Sequence, residues 1–315
     1  MSSRRLLQLI LLIQAVAGAA LALALLWSGI LASAWAALAL AAVFVLLVRM
    51  AITANNFVLT ARFASPTPDE LQLGLGGALR LYLDEFIATF THTSWFMARA
   101  RACERIYPDS DKPPVLLLHG YGCNSGYWAQ LMPLLDAASI SHATLDLEPL
   151  MGDIEDYVPM VQGAVDALCA RTGWCGVILV AHSMGGLVAR AYMRAHGTEK
   201  IVHVFTLGTP HHGTSLANMG IGRNAAQMRR NTRPGQGEAP ESAWLRELAA
   251  SESAETRALI TSMFTHHDNI VAPQTSSILP GARSIEFGGV GHVAMGRNSR
   301  ILTRLLLEIE AISAR

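Results

Sequence analysis

One segment dictates most of what this chain can become: Val177-Ile-Leu-Val-Ala-His-Ser-Met-Gly-Gly186. Its apolar run suits a short buried strand. Leu187 and Tyr192 then follow at helical spacing, up to a stop at Gly197. A strand that passes into a helix without a loop strains the backbone of the junction residue, so the residues two before and two after must be small. Ala181 and Gly185 satisfy this around Ser183, with His182 in the variable place of the elbow. The same turn sets Ser183 at a helix N-terminus, where the N–H of Met184 can donate to a developing oxyanion. Ser183 is therefore the expected nucleophile.

A serine hydroxyl is a poor nucleophile without a base, and the base needs an orienting acid. Asp268 lies in His266-His267-Asp268-Asn269, just after an apolar run ending near Phe264, and His292 follows on the glycine-rich Gly288-Gly289-Val290-Gly291-His292. The order Ser183, Asp268, His292 is one in which such triads occur. Asp268 as a turn cap and His292 as a surface histidine are the bland alternatives. Glu286 is the other carboxylate between the last two strands, and it falls inside a predicted strand. The second oxyanion donor is expected from Tyr121, after His119-Gly120. His119 is expected to hold that loop by hydrogen bonds.

Strand and helix patterns alternate beyond Lys112 and predict a mostly parallel sheet flanked by helices. The strands are read at Val115 to Leu118, Ala143 to Leu147, Gly176 to Val180, Ile201 to Leu207, Ala258 to Phe264 and Arg283 to Phe287. Asp153 caps a predicted helix through Leu168, and the chain closes with an amphipathic helix from Ile301 to Ile312.

Three segments carry a resemblance: His119-Gly120-Tyr121-Gly122, Ala181-His182-Ser183-Met184-Gly185-Gly186, and Leu207-Gly208-Thr209-Pro210-His211-His212-Gly213-Thr214. Over residues 113 to 315 the chain resembles bacterial lipases and esterases of the α/β-hydrolase superfamily. The resemblance implies an α/β-hydrolase fold and ester cleavage without a cofactor. Ala181 departs from the glycine usual at that place, as it does in a subgroup of small bacterial lipases. Ser215 to Ala250 falls where this fold carries a lid, and its Met219, Ile221, Met228, Trp244 and Leu245 would suit an acyl chain. A plain surface excursion is the alternative. Asn231 to Pro240 is its glycine- and proline-rich centre.

The N-terminus is of another kind. Leu6 to Trp27 is a 22-residue apolar run, interrupted only by Gln8 and Gln14. It would extend about 33 Å as a helix, enough to cross a bilayer core. After Ser28-Gly29 a second run, Ile30 to Val48, continues uncharged to Arg49. A cleaved signal peptide and a buried helical pair compete with a retained hairpin or signal anchor over residues 1–50. The length and the second run favour retention in a bacterial-type inner membrane. Arg4, Arg5 and Arg49 flank the pair, so the catalytic domain is cytoplasmic if both helices span, and periplasmic or external if one does. Residues 51–112 form a linker with an amphipathic stretch from Glu70 to Phe90. Its Leu79, Leu83, Phe86 and Ile87 are expected to pack on the domain, with the membrane surface as the alternative.

The chain is 51% hydrophobic, and its 24 basic and 24 acidic residues leave no net charge and no basic stripe, which argues against a nucleic-acid partner. No protein partner is predicted. Cys103, Cys123, Cys169 and Cys175 form no metal-ligand pair, although a Cys169–Cys175 bridge would favour the outer side. His182, His211, His212, His266 and His267 lack paired ligand spacing, so no metal is expected. The expected substrate is a lipid or long-chain acyl ester. An acyltransferase or acyl-thioester hydrolase would use the same residues, and a noncatalytic binding protein would be expected to have lost one of them.

Overall fold

In the computed structural model, which describes residues 2–231 and 241–313, the alternating pattern folds into a seven-stranded sheet. Its strands are β1 (Glu104–Arg105), β2 (Val115–Leu118), β3 (His142–Leu145), β4 (Val177–His182), β5 (Ile201–Leu207), β6 (Ile260–Thr265) and β7 (Arg283–Phe287). Their spatial order is β1-β3-β2-β4-β5-β6-β7. β1 runs antiparallel to β3, and the other neighbours pair in parallel. β1 was not anticipated: two exposed charged residues carry no periodicity, and charge suits an edge that must not recruit another strand.

The central strands are apolar throughout because both faces are covered. Leu116, Leu118 and Leu179 pack with helices α4 (Val158–Thr172) and α5 (Met184–His196). Val115, Leu117, Ile178 and Val180 pack with Trp128 and with Ile301, Leu305 and Ile309 of the final helix, α7 (Ser299–Ser313). Asp153 caps a short turn, in a reciprocal box with Asp156, before α4 begins with Pro159 in its first turn. α4 and α5 end at Gly173 and Gly197, both at positive φ.

Between β5 and β6 the insertion forms a turn (Ser215–Met219), a short helix (Arg223–Gln227) and α6 (Ala243–Ala250). Most of the expected Asn231 to Pro240 centre, residues 232–240, lies outside the described residues. Met219 and Ile221 are exposed, whereas Met228 and Leu245 belong to the core. Only part of this apolar set is thus available to line a lid.

At the N-terminus stand α1 (Ser3–Trp27), α2 (Ala34–Ala61) and α3 (Leu75–Thr91). α2 continues thirteen residues past Val48, to Ala61. Arg49 ends the apolar run, but arginine is a good helix former and does not end the helix. Its guanidinium donates to Gln14 Oε1 (3.0 Å) and Ser94 Oγ (2.5 Å), while Gln8 Nε2 donates to the Ala98 carbonyl at 2.9 Å. The base of the hairpin is therefore bonded to the segment that follows α3.

The packing expectation for α3 is corrected. Leu79, Leu83 and Ile87 are exposed and Phe86 is half-buried. Leu81, Glu85 and Ala88 face the domain instead. Apolar spacing misidentified the inner face because Glu85, a charged residue, occupies its centre. All four cysteines are free, so Cys169 and Cys175 form no bridge.

Candidate active site

Ser183 sits between β4 and α5 at φ 54°, ψ −125°, a region that few non-glycine residues occupy. Neighbours on both sides hold it there. Its N–H donates to the Leu207 carbonyl at 2.9 Å, and its own carbonyl accepts the Thr209 hydroxyl at 2.9 Å. A Cβ on Gly185 would come 2.5 Å from the Leu118 carbonyl oxygen, and one on Gly120 would come 2.8 Å from Ser183 Cβ. These close approaches are the physical content of the small-residue rule at the elbow. Ala181 pairs between Leu118 and Thr206 inside the sheet.

The structure brings Asp268 and His292 together. Asp268 follows β6 in a tight turn, where its Oδ1 accepts the N–H groups of Ile270 (2.8 Å) and Val271 (2.7 Å). Its other oxygen, Oδ2, lies 2.7 Å from His292 Nδ1. Both side chains are buried. A carboxylate only accepts, so Nδ1 carries the proton and Nε2 is left as the basic nitrogen. Gly208, at φ 56°, passes behind this pair. A Cβ there would lie 3.2 Å from both Asp268 Oδ2 and His292 Nδ1.

Burial alone would lower the pKa of His292. The charge of Asp268, its hydrogen bond and the charge of Glu85 outweigh burial and raise it above the usual histidine value.

Residues to which the sequence assigned no role support the His292 loop. Asn269 Oδ1 accepts the His292 N–H at 3.0 Å. The buried Glu85 carboxylate accepts the N–H groups of Val293 (3.0 Å) and Ala294 (2.8 Å), at the start of the turn Val293–Gly296. Burial raises the pKa of Glu85, against the opposing effect of those two bonds and of His292. Nothing local marks Glu85, since its partners lie 208 and 209 residues away.

His182 does more than fill the variable place. Its ring stacks on Tyr127 at 4.0 Å and lies 4.5 Å from the ring of His292, and its Nε2 contacts the His292 carbonyl at 3.3 Å. Burial, then the neighbouring charge of His292, holds its pKa well below the ordinary value. A neutral ring can brace His292 without competing for its proton.

His119 holds its own loop: Nδ1 meets the Gly120 carbonyl at 2.9 Å and Nε2 accepts the Leu147 N–H at 2.9 Å. The Tyr121 hydroxyl donates to the Ile221 carbonyl (2.8 Å) and accepts the Ile221 N–H (3.2 Å), which ties this loop to the insertion. Met184 is buried and opens α5, where first-turn N–H groups have no partner within the helix.

The other histidines are engaged elsewhere. His211 contacts Thr206 and the buried Arg190, His212 pairs with Glu241 at 2.6 Å, and His266 pairs with Glu286 at 2.8 Å. His267 Nδ1 accepts the Gly289 N–H. Among the described residues, no three His, Cys, Asp or Glu side chains cluster so as to hold a metal ion.

Residues 113–283 match the family model of the alpha/beta hydrolase fold. The chain belongs to the alpha/beta hydrolase family. The matched segment of this hydrolase contains Ser183 and Asp268 and ends before His292. A probable serine hydrolase of Drosophila melanogaster is 30% identical over 123 residues, which are 36% of this chain and 37% of that protein. The hydrolase thus spans little more than a third of that relative's length.

Among solved structures, the mature form of Bacillus licheniformis lipase BlEst2 superimposes with a TM-score of 0.54 at 20% identity, over 66% of this chain and 97% of that one. Aspergillus fumigatus lipase B gives 0.51 at 16% identity, over 66% and 58%. At these identities the likeness concerns the fold.

Proposed function

We propose that this hydrolase cleaves carboxylic esters of lipids or long acyl chains through an acyl-enzyme on Ser183, at a membrane that α1 and α2 enter. The observations that support the chemistry are the buried 2.7 Å contact of Asp268 with His292 and the positive φ of Ser183 at the strand-to-helix turn. His292 Nε2 takes the proton of Ser183 as Oγ attacks the ester carbonyl. Asp268 keeps Nδ1 protonated and stabilises the imidazolium. The N–H groups of Tyr121 and Met184 hold the oxyanion. The imidazolium then protonates the leaving alcohol, and water, activated by the same nitrogen, releases the acid.

The preference for lipid esters rests on surroundings. Exposed Ile221 is bonded to Tyr121, exposed Met151 lies against the next residue, Gly222, and α2 packs against the turn Ser215–Met219, whose Met219 is also exposed. An apolar rim next to a membrane helix suits a substrate that arrives from lipid. α1 and α2 are each long and apolar enough to cross a bilayer, and their apolar windows are 6% and 17% buried, unlike core helices.

A fluorescent alkyl phosphonate tests the nucleophile: the wild-type chain becomes labelled and Ser183→Ala does not. Labelling retained in Ser183→Ala would refute the assignment. p-Nitrophenyl esters of graded chain length, compared with an acylglycerol and a phospholipid, test the substrate class. A flat or short-chain profile would count against lipid.

A further inference from the structure

We infer that the outer face of α3 and the turn beyond it are seated in the lipid bilayer, with Ile87, Phe90 and Trp95 in the hydrocarbon and Leu79 and Leu83 at headgroup level. This rests on the reading of α1 and α2 as membrane helices. Its own support is a matter of depth.

The tip of the hairpin carries Trp27 and Trp35, 93% and 82% exposed, the residue type that favours a membrane interface. A hydrocarbon core of about 30 Å takes about 20 helical residues. Counted from those tryptophans, the crossing extends back to about Leu7 and forward to about Asn55. α3 runs antiparallel beside α2 over this stretch. Tyr82 lies against Phe57 (ring centroids 6.3 Å) and donates to the Met50 carbonyl (2.9 Å), and the Arg49 guanidinium stands 5.0 Å over the Phe90 ring. A hairpin that crosses fully therefore carries Phe90 about 9 Å below the near interface, level with Arg49, which on this count lies inside the crossing and not at its flank and whose guanidinium is bonded there to Gln14 and Ser94.

The composition of the outward surface follows that depth. Arg80 and Asp84 are exposed on the outer half of α3, but residues 86–98 contain no Asp, Glu, Lys or Arg. In that charge-free stretch Ile87, Phe90 and Trp95 are 42%, 38% and 59% exposed. The π-helical turn His92–Phe96 marks the lowest point, and by Ala98 the chain is back at the level of Gln8. Arg99, stacked on Trp95 at 3.7 Å, provides a cation where the chain leaves the lipid. The inner face of α3 is already filled by the domain, so the bilayer is the occupant whose position fits this stripe.

The test uses the full chain in nanodiscs, with Cys103, Cys123, Cys169 and Cys175 changed to Ser and one environment-sensitive probe on a new cysteine. Ile87→Cys and Phe90→Cys report the proposed face, Leu23→Cys the hairpin and Leu307→Cys the water-exposed side of α7. All four positions are on the surface, and a cooperative melt matching the parent verifies each fold. The expected result is that probes at 87 and 90 are blue-shifted and quenched by nitroxide-labelled acyl chains to the same fold as the probe at 23, while the probe at 307 is not. Probes at 87 and 90 that behave like 307 while 23 is lipid-quenched would overturn the proposal and leave the hairpin standing. A probe at 23 quenched only by aqueous iodide would remove the hairpin reading and this one with it.

Discussion

Glu85 and Ala294 lie 209 residues apart in the chain and are joined by a 2.8 Å hydrogen bond, carboxylate to backbone N–H. With the companion bond to Val293, this places a buried acid directly beneath the His292 loop. A Cβ on Gly291 would come 2.5 Å from Glu85 Oε2, so the loop backbone rests on the carboxylate.

Glu85→Gln removes the charge and leaves one acceptor for two N–H groups. The acid limb of kcat/KM is expected to move to lower pH, because Glu85 helps to raise the pKa of His292. An unpaired buried donor costs about 1–3 kcal/mol, so the melting temperature should fall as well. A merely structural role would lower the melting temperature and leave the limb in place.

In the unmodified chain the proposed mechanism requires a neutral His292 as base. Its raised pKa predicts that kcat/KM climbs with pH and levels only above the ordinary histidine value of about 6.5. Stability carries the opposite sign. The contribution of a group whose folded pKa is raised is complete below about pH 6.5 and is lost as pH rises through the raised value. Activity profiles and urea midpoints over the same buffers check both slopes.

Asp268→Asn keeps an oxygen for the Ile270 and Val271 N–H groups but turns an amide N–H toward His292 Nδ1. The imidazole must then carry its proton on Nε2, the nitrogen that the proposed mechanism uses as base. A loss of about 10⁴ in kcat with a nearly unchanged melt is expected. Steady-state rates on a soluble ester measure it.

Arg190 and Glu252 form a fully buried pair (2.5 and 2.8 Å), and Arg190 also donates to the His211 carbonyl at 3.2 Å. Arg190→Ala leaves Glu252 buried with Arg257 as its remaining cation among the described residues and should cost about 3–5 kcal/mol in a denaturant titration. Replacing both residues by apolar ones should recover much of that loss.

The elbow was legible because its requirements are local: small residues two places either side of Ser183, strand before and helix after. The six longer strands were visible as apolar runs, and Asp268 and His292 followed from where those runs stop. What stayed hidden depends on distance along the chain. Glu85 looks like the solvated face of an amphipathic helix until the fold brings Val293 and Ala294 to it. Its inner position is also why helical spacing alone points to Leu79 and Leu83, which are exposed, as the packed face. His182 reads as a filler until Tyr127 and His292 close on its two sides.

The paired bonds between Tyr121 and Ile221 act as a clasp on the insertion. Two such bonds, both at the surface, contribute at most about 1–3 kcal/mol net to that tie. The loop after β2 and the insertion between β5 and β6 are thus one mechanical piece, and a substitution that displaces Ile221 is felt at Tyr121, a hundred residues earlier in the chain.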